Sequence, residues 1–395
     1  MMTPETKTCA ESAGAAGVRT APYRTLEAWR GFASIWVVLY HAAHATLVRF
    51  PGLSITPVYA FSQRGSLGVQ MFFVISGYCI AAAACNALRR PDGFPRFMRA
   101  RVRRIYPPYW VVWVFAAAFS VLASELAKAR HLGPSYSAAN DVLHKPVWYY
   151  LSNLALGQVA AHVPSLVSQS WTLCYEIAFY LLVGLVFLIP RLGGSERALL
   201  NTLHAVTLAS LLWLTLAPQF RFFPLDLWPQ FGLGAIVYDL VSHPRQKWLW
   251  AWLLAAVVLC AAFLFAGDLP FGPERESSRV TFAVALGFSL LILCLHRFDE
   301  MISRWRLVQA FSYVGLFSYS LYLIHMLVIG IVNQGARLTK LPERLDLVVF
   351  AISLLASLAA GRLFYQFCER PFVKPVFQPT SGAWQKAEIV GHTAE

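Results

Sequence analysis

The stretch Thr25–Ala45, TLEAWRGFASIWVVLYHAAHA, decides how the chain is read. It is long and apolar enough for a membrane helix, since about 20 residues cross the hydrocarbon core of a bilayer. Yet it carries Glu27, Arg30, His41 and His44. Ionisable groups in a membrane segment are costly, so each one calls for a partner, contact with water, or a function. The step from Arg30 to His41 advances a helix by about 16 Å and returns it to within about 20° of the same face. Glu27 falls on nearly the same stripe, and His44 lies one turn beyond His41 on an adjacent face.

Working outward, the apolar theme continues through 395 residues that are 57% hydrophobic and 13% charged. This composition excludes an ordinary soluble domain and a disordered chain. Apolar runs predict helices near 26–48, 67–88, 106–126, 172–190, 199–217, 227–241, 248–266, 280–296, 309–332 and 345–368. The fold class is therefore all-α, a polytopic transmembrane helical bundle of about ten spans. The segment 148–160, WYYLSNLALGQVA, is too short to cross and reads as re-entrant or interfacial. Met1–Tyr23 lacks an apolar core followed by a cleavage site and reads as a disordered tail, not a signal peptide. One membrane domain is expected over 24–376, followed by a second tail over 377–395.

The net charge of +13 would suggest nucleic acid in a soluble protein; here it records orientation, and no nucleic-acid partner is expected. The run Arg89–Arg104, RRPDGFPRFMRARVRR, holds Arg89, Arg90, Arg96, Arg99, Arg101, Arg103 and Arg104. The positive-inside bias places it, as a loop, in the cytoplasm with both termini. Topology and anionic lipid headgroups explain such a cluster. So does a phosphate cradle, because arginine forks match phosphate oxygens and the run contains no lysine. Pro107 and Pro108, which follow it, mark the start of the next helix.

The other membrane segments offer fewer chemical groups. GSLGVQMFFVISGYCI (65–80) has glycines and Ser76 that permit close helix packing, beside Phe72 and Phe73. SQSWTLCYEIAFYLL (168–182) places Glu176 about one turn inside the outer surface, among Trp171, Tyr175 and Tyr180. Its roles are expected to be orienting an imidazole or binding acceptor hydroxyls. FSYSLYLIHMLVI (317–329) holds Tyr322 and a second deep histidine, His325, either a partner or structural. In FCERPFVKP (367–375) a local Glu369–Arg370 ion pair accounts for the charges. Seven cysteines without a C-x-x-C pair indicate neither a disulfide framework nor a zinc site, and no metal is expected. A neutral imidazole at His41 suits a general base; the same ring also serves if it merely ties helices together.

Taken in order, LEAWRGFASIWVVLYHAAH, GVQMFFVISGYCI, RFMRARVRRIYPPYW, SWTLCYEIAFYL, YSLYLIHMLV and ERPF run from Leu26 to Phe372. In this arrangement the chain resembles the integral membrane acyltransferase 3 family, whose members include O-acetylases of bacterial surface polysaccharides and lipo-chitooligosaccharides. The resemblance implies transfer of an acyl group, most often acetyl from acetyl-CoA, to a hydroxyl of a carbohydrate or glycolipid acceptor. The expected location is the bacterial inner membrane. The family's arginine and histidine signature falls on Arg30 and His41, so His41 inherits the catalytic role, with Arg30 and Glu176 beside it. Other motifs fall on Phe72, Phe73, Ser76 and Gly77, on Arg101, Arg104 and Tyr109 toward the donor, and on Trp171, Tyr322 and His325 toward the acceptor.

Two departures stand out. Glu27 occupies a position where the family often has Asp, and Leu173-Cys174-Tyr175-Glu176 replaces a Ser-Val-Glu-Glu-like run, leaving one acid there. Some relatives carry a C-terminal esterase-like domain outside the membrane. None is read here, so direct transfer to the final acceptor is the simpler expectation. Whether His41 is a base or a nucleophile stays open at this level. The rival class is a proton-coupled transporter or flippase, which would move substrate without consuming acyl-CoA.

Overall fold

The computed structural model describes residues 23–47, 57–129, 142–189, 195–217, 220–265, 278–342 and 345–372. The tails expected at either end lie outside the described residues except for Tyr23, whose buried hydroxyl donates to Ile292 O at 2.7 Å. Among the described residues, thirteen helices of seven residues or more make up the bundle. They are α1 (Leu26–Leu47), α2 (Pro57–Gln63), α3 (Gly68–Leu88), α4 (Gly93–Ala129), α5 (Val147–Leu154), α6 (Trp171–Leu188) and α7 (Glu196–Leu216). Then follow α8 (Trp228–Ser242), α9 (Leu249–Phe265), α10 (Ser278–Leu295), α11 (Arg306–Leu316), α12 (Ser318–Leu338) and α13 (Asp346–Phe364). No strand occurs among the described residues.

Seven of these helices are long and apolar enough to cross a membrane: α3, α4, α6, α7, α10, α12 and α13. The first helix matches them with 22 residues but carries four ionisable groups. Helices α8 and α9 are shorter, at 15 and 17 residues. A rise of 1.5 Å per residue gives them about 22 and 25 Å, below a core of about 30 Å. Nearly every residue of α8 is buried, as expected of a helix apolar on all sides.

Backbones meet where side chains are absent. A Cβ on Gly77 of α3 would lie 1.9 Å from Phe231 O of α8, and one on Gly234 of α8 would lie 1.9 Å from Val74 O of α3. Two helices can touch so closely only with small residues at the crossing. The same device joins α1 to α11 through Gly31 and Gly315, and fixes the face of α1 that carries Arg30.

Two carboxylates from distant chain positions cap helix starts. Asp299 accepts from Arg24 N (2.7 Å), Thr25 N (2.9 Å) and Thr25 Oγ1 (2.7 Å) at the entry to α1. Glu369 accepts from Ser320 Oγ at 2.5 Å, and from its backbone N–H, in the first turn of α12. Both face the positive end of a helix dipole and satisfy donors that the helix itself leaves unpaired.

Three expectations need correction. The arginine run is not a loop. After a tight turn at 89–92, α4 begins at Gly93 and passes through Pro107 and Pro108, so five of the seven arginines ride on its first twelve residues. The segment 309–332 is not one span, because the helix breaks at Phe317 (φ −115°, ψ 18°) and α12 starts anew at Ser318. The apolar pattern runs unbroken across that point and hides the break. Glu369 forms no ion pair with Arg370 among the described residues; it is 3% exposed and turns inward to Ser320 and toward Arg104.

Candidate active site

Helices α1, α3, α4, α6 and α12 line a cavity of about 90 Å³, room for several waters. Arg30, Arg101 and Arg104 supply its cations, Glu176 its carboxylate, and Ser76, Cys79, Thr172, Ser318, Tyr319 and Tyr322 further polar groups; Phe72 and Phe73 form part of the apolar wall. Helical period explains why only two of the clustered arginines arrive there. Arg101 and Arg104 are three residues apart and face inward, whereas Arg96, Arg99 and Arg103 point out of the bundle.

Each cavity arginine is held differently. Arg30 Nη1 donates to Glu27 Oε1 at 3.3 Å. Arg101 lies over the rings of Phe97 (5.1 Å) and Tyr180 (5.7 Å). Arg104 interacts electrostatically with Glu369, Glu176 and Glu27. Neither Arg101 nor Arg104 forms an ion pair among the described residues, so their N–H forks are available to a ligand. Glu176 accepts a short hydrogen bond from Tyr180. Ser318 Oγ is buried with no hydrogen-bond partner among the described residues. A set of guanidiniums beside apolar walls suits an anion attached to an organic body.

His41 does not line this cavity. Its half-buried ring sits beyond it on α1, with Nδ1 3.0 Å from Val37 O and 3.2 Å from His325 Nε2. Tyr322 bridges the two regions. Its ring lines the cavity, 5.9 Å from Phe72 and 5.7 Å from His325, and its hydroxyl lies 2.9 Å from Thr172 Oγ1. Gln169 Nε2 ties the same turn of α12, donating to Leu323 O at 2.6 Å. His44 is exposed, stacked on Tyr40 at 6.0 Å.

The structure thus brings together Arg30, Ser76, Arg101, Arg104, Glu176 and Tyr322 in the cavity, and places His41 against His325 outside it. Tyr109 and Trp171 belong to neither group. Tyr109 is fully buried and donates to Asn153 O at 2.7 Å, fastening α4 to α5. Trp171 packs edge-on against Phe73 (6.4 Å) and Tyr175 (6.0 Å). Sequence reasoning gave Cys79 and Thr172 no part in the site and read Glu369 as the local partner of Arg370. Burial of an acid in an otherwise apolar last helix was the available signal for Glu369.

Comparison with known proteins now bears on this arrangement. The family profile described as "Acyltransferase domain" matches residues 23–365. A protein named membrane-bound transacylase BcsY, from Komagataeibacter xylinus, is 28% identical over 322 residues, covering 78% of this chain and 74% of BcsY. O-acetyltransferase OatA of Staphylococcus aureus is 24% identical over 388 residues, covering 89% of this chain but 57% of OatA. Peptidoglycan O-acetyltransferase OatA of Listeria monocytogenes is 22% identical, with 89% and 56% covered. The chain therefore spans little more than half the length of the OatA proteins. No solved structure matches it. With a profile match over most of its length and seven helices fit to cross a bilayer, the chain belongs to the acyltransferase 3 family and is a multi-pass membrane acyltransferase.

Proposed function

We propose that this protein is an O-acetyltransferase of the bacterial inner membrane, with both termini in the cytoplasm, that moves acetyl from acetyl-CoA to a hydroxyl of a carbohydrate acceptor. The observation that carries the reading is the trio Arg30, Arg101 and Arg104 lining one cavity. A donor with several phosphates suits three guanidiniums in one cavity. Arg30 and His41 share α1, about 16 Å apart along its axis, so in the proposed reading a donor held by its phosphates at Arg30 extends its thioester arm along α1 toward His41. Phe72 and Tyr322 are in ring contact at 5.9 Å in the cavity wall, and Tyr322 also lies 5.7 Å from His325. The names of the relatives, O-acetyltransferase and transacylase, support the reaction class.

In the proposed step, an acceptor hydroxyl gives its proton to His41 as its oxygen attacks the thioester carbonyl. The carbonyl–sulfur bond breaks, and the CoA thiolate leaves and recovers the proton. Glu176 lines the arginine cavity and not the His41–His325 pair, so it takes no part in the proposed proton transfer. Acetyl-CoA carrying a labelled acetyl group, added to membranes containing the protein, tests this directly. Label is expected in the membrane glycans, and release of label only as free acetate, or none at all, refutes it. Mass spectrometry of surface glycans from cells with and without the protein then identifies the acceptor.

A further inference from the structure

The hydrogen bonds around the two buried histidines favour one placement of protons on a pair of neutral rings. His325 Nδ1 lies 2.7 Å from Tyr322 O and 3.2 Å from Leu321 O. A carbonyl oxygen only accepts, so the proton of His325 sits on Nδ1 and its Nε2 carries a lone pair. His41 Nδ1 lies 3.0 Å from Val37 O, which favours a proton on Nδ1. That N–H also points to His325 Nε2 at 3.2 Å, a donor meeting an acceptor. A proton on His325 Nε2 would instead set two N–H groups against each other.

We infer that His325 is a positioning residue that locks His41 in the tautomer with a bare Nε2, the atom that takes the acceptor's proton. The inference rests on the proposed role of His41. The two rings are 5.0 Å apart and inclined at 50°, so His325 also fixes the plane of His41. His325 is wholly buried. Ring orientation and tautomer set through the second nitrogen is the usual device by which a histidine is prepared for a task. As His41 Nε2 gains a proton, its Nδ1–H keeps both acceptors, Val37 O and His325 Nε2, and the developing cation is held by them.

Three substitutions separate positioning from packing. In His325→Gln the side-chain oxygen reaches the place of Nε2 and accepts from His41; in His325→Asn the amide ends at the place of Nδ1 and leaves His41 without that acceptor; His325→Leu removes both. The test uses the full chain in lipid bilayers with ¹⁵N-labelled histidine, assigned against His41→Gln. Wild type and His325→Gln are expected to show His41 protonated on Nδ1 alone, and His325→Leu and His325→Asn to show an Nε2–H population. Wild-type His41 protonated on Nε2, or an unchanged His41 spectrum in His325→Leu, overturns the inference. With labelled acetyl-CoA, kcat is expected to fall by about 100-fold in His325→Asn with KM unchanged, and to be largely kept in His325→Gln. Equal activity of the Asn and Gln variants also overturns it. The expected spectra together with no acetyl transfer by wild type defeat the proposed function and leave the histidine geometry standing.

Discussion

Replacing Arg101 with glutamine isolates what the cavity arginines do. The choice follows from its surroundings: Arg101 rests on Phe97 and Tyr180 and leaves no carboxylate behind when removed, whereas Arg104 lies among Glu369, Glu176 and Glu27. Losing two cation–π contacts costs stability about 1–2 kcal/mol, which a bundle of this size tolerates. Losing a charge-assisted bond to a phosphate costs binding about 1.5–3 kcal/mol, or about 10–100-fold in Kd. Calorimetric titration of acetyl-CoA into the protein in nanodiscs measures that change. Arg101→Lys is expected to fall between, because a point charge lacks the guanidinium fork, and the outward-facing Arg99→Gln to bind as wild type. Unchanged affinity in Arg101→Gln, with Arg99→Gln equal to it, refutes the assignment of the cavity to the donor.

Three further outcomes follow from the packing and the cavity. Cys79 lines the cavity as a free thiol, so saturating acetyl-CoA should slow its alkylation by N-ethylmaleimide, and equal rates by mass spectrometry would place the donor elsewhere. Gly77→Ala should lower thermal stability by more than about 3 kcal/mol, since the new Cβ meets backbone at 1.9 Å, while Gly287→Ala, with nothing within 4 Å, should be neutral or slightly stabilising. Asp299→Ala removes three hydrogen bonds at the entry to α1, so denaturation of the purified protein should show a loss of about 3 kcal/mol; a loss under about 0.5 kcal/mol would contradict the capping role.

What the sequence revealed depended on how locally each feature is encoded. The first helix was legible because Arg30 and His41 share one element, so helical period alone stacks them. The pairing of α3 with α8 was foreshadowed by Gly77 but not its partner, because glycine marks a close approach without naming what approaches. The extent of α4 differs from expectation because Pro107 and Pro108 signal a helix start, whereas here the helix passes through them. Glu369 was misread for the opposite reason. An adjacent arginine offered a sufficient local partner, whereas the actual neighbours, Ser320 and Arg104, come from other helices. The His41–His325 contact joins positions 284 residues apart, and no local pattern encodes it.

The account stands on the His41 ring as the seat of acyl transfer, and His41→Ala in membranes tests it most directly. Removing a half-buried ring that contacts His325 should leave folded yield within about twofold of wild type, as read by detergent-resistant size-exclusion profiles. Acetyl transfer from labelled acetyl-CoA is expected to fall by at least about 100-fold. Transfer at the wild-type rate by a normally folded His41→Ala protein would contradict the central claim.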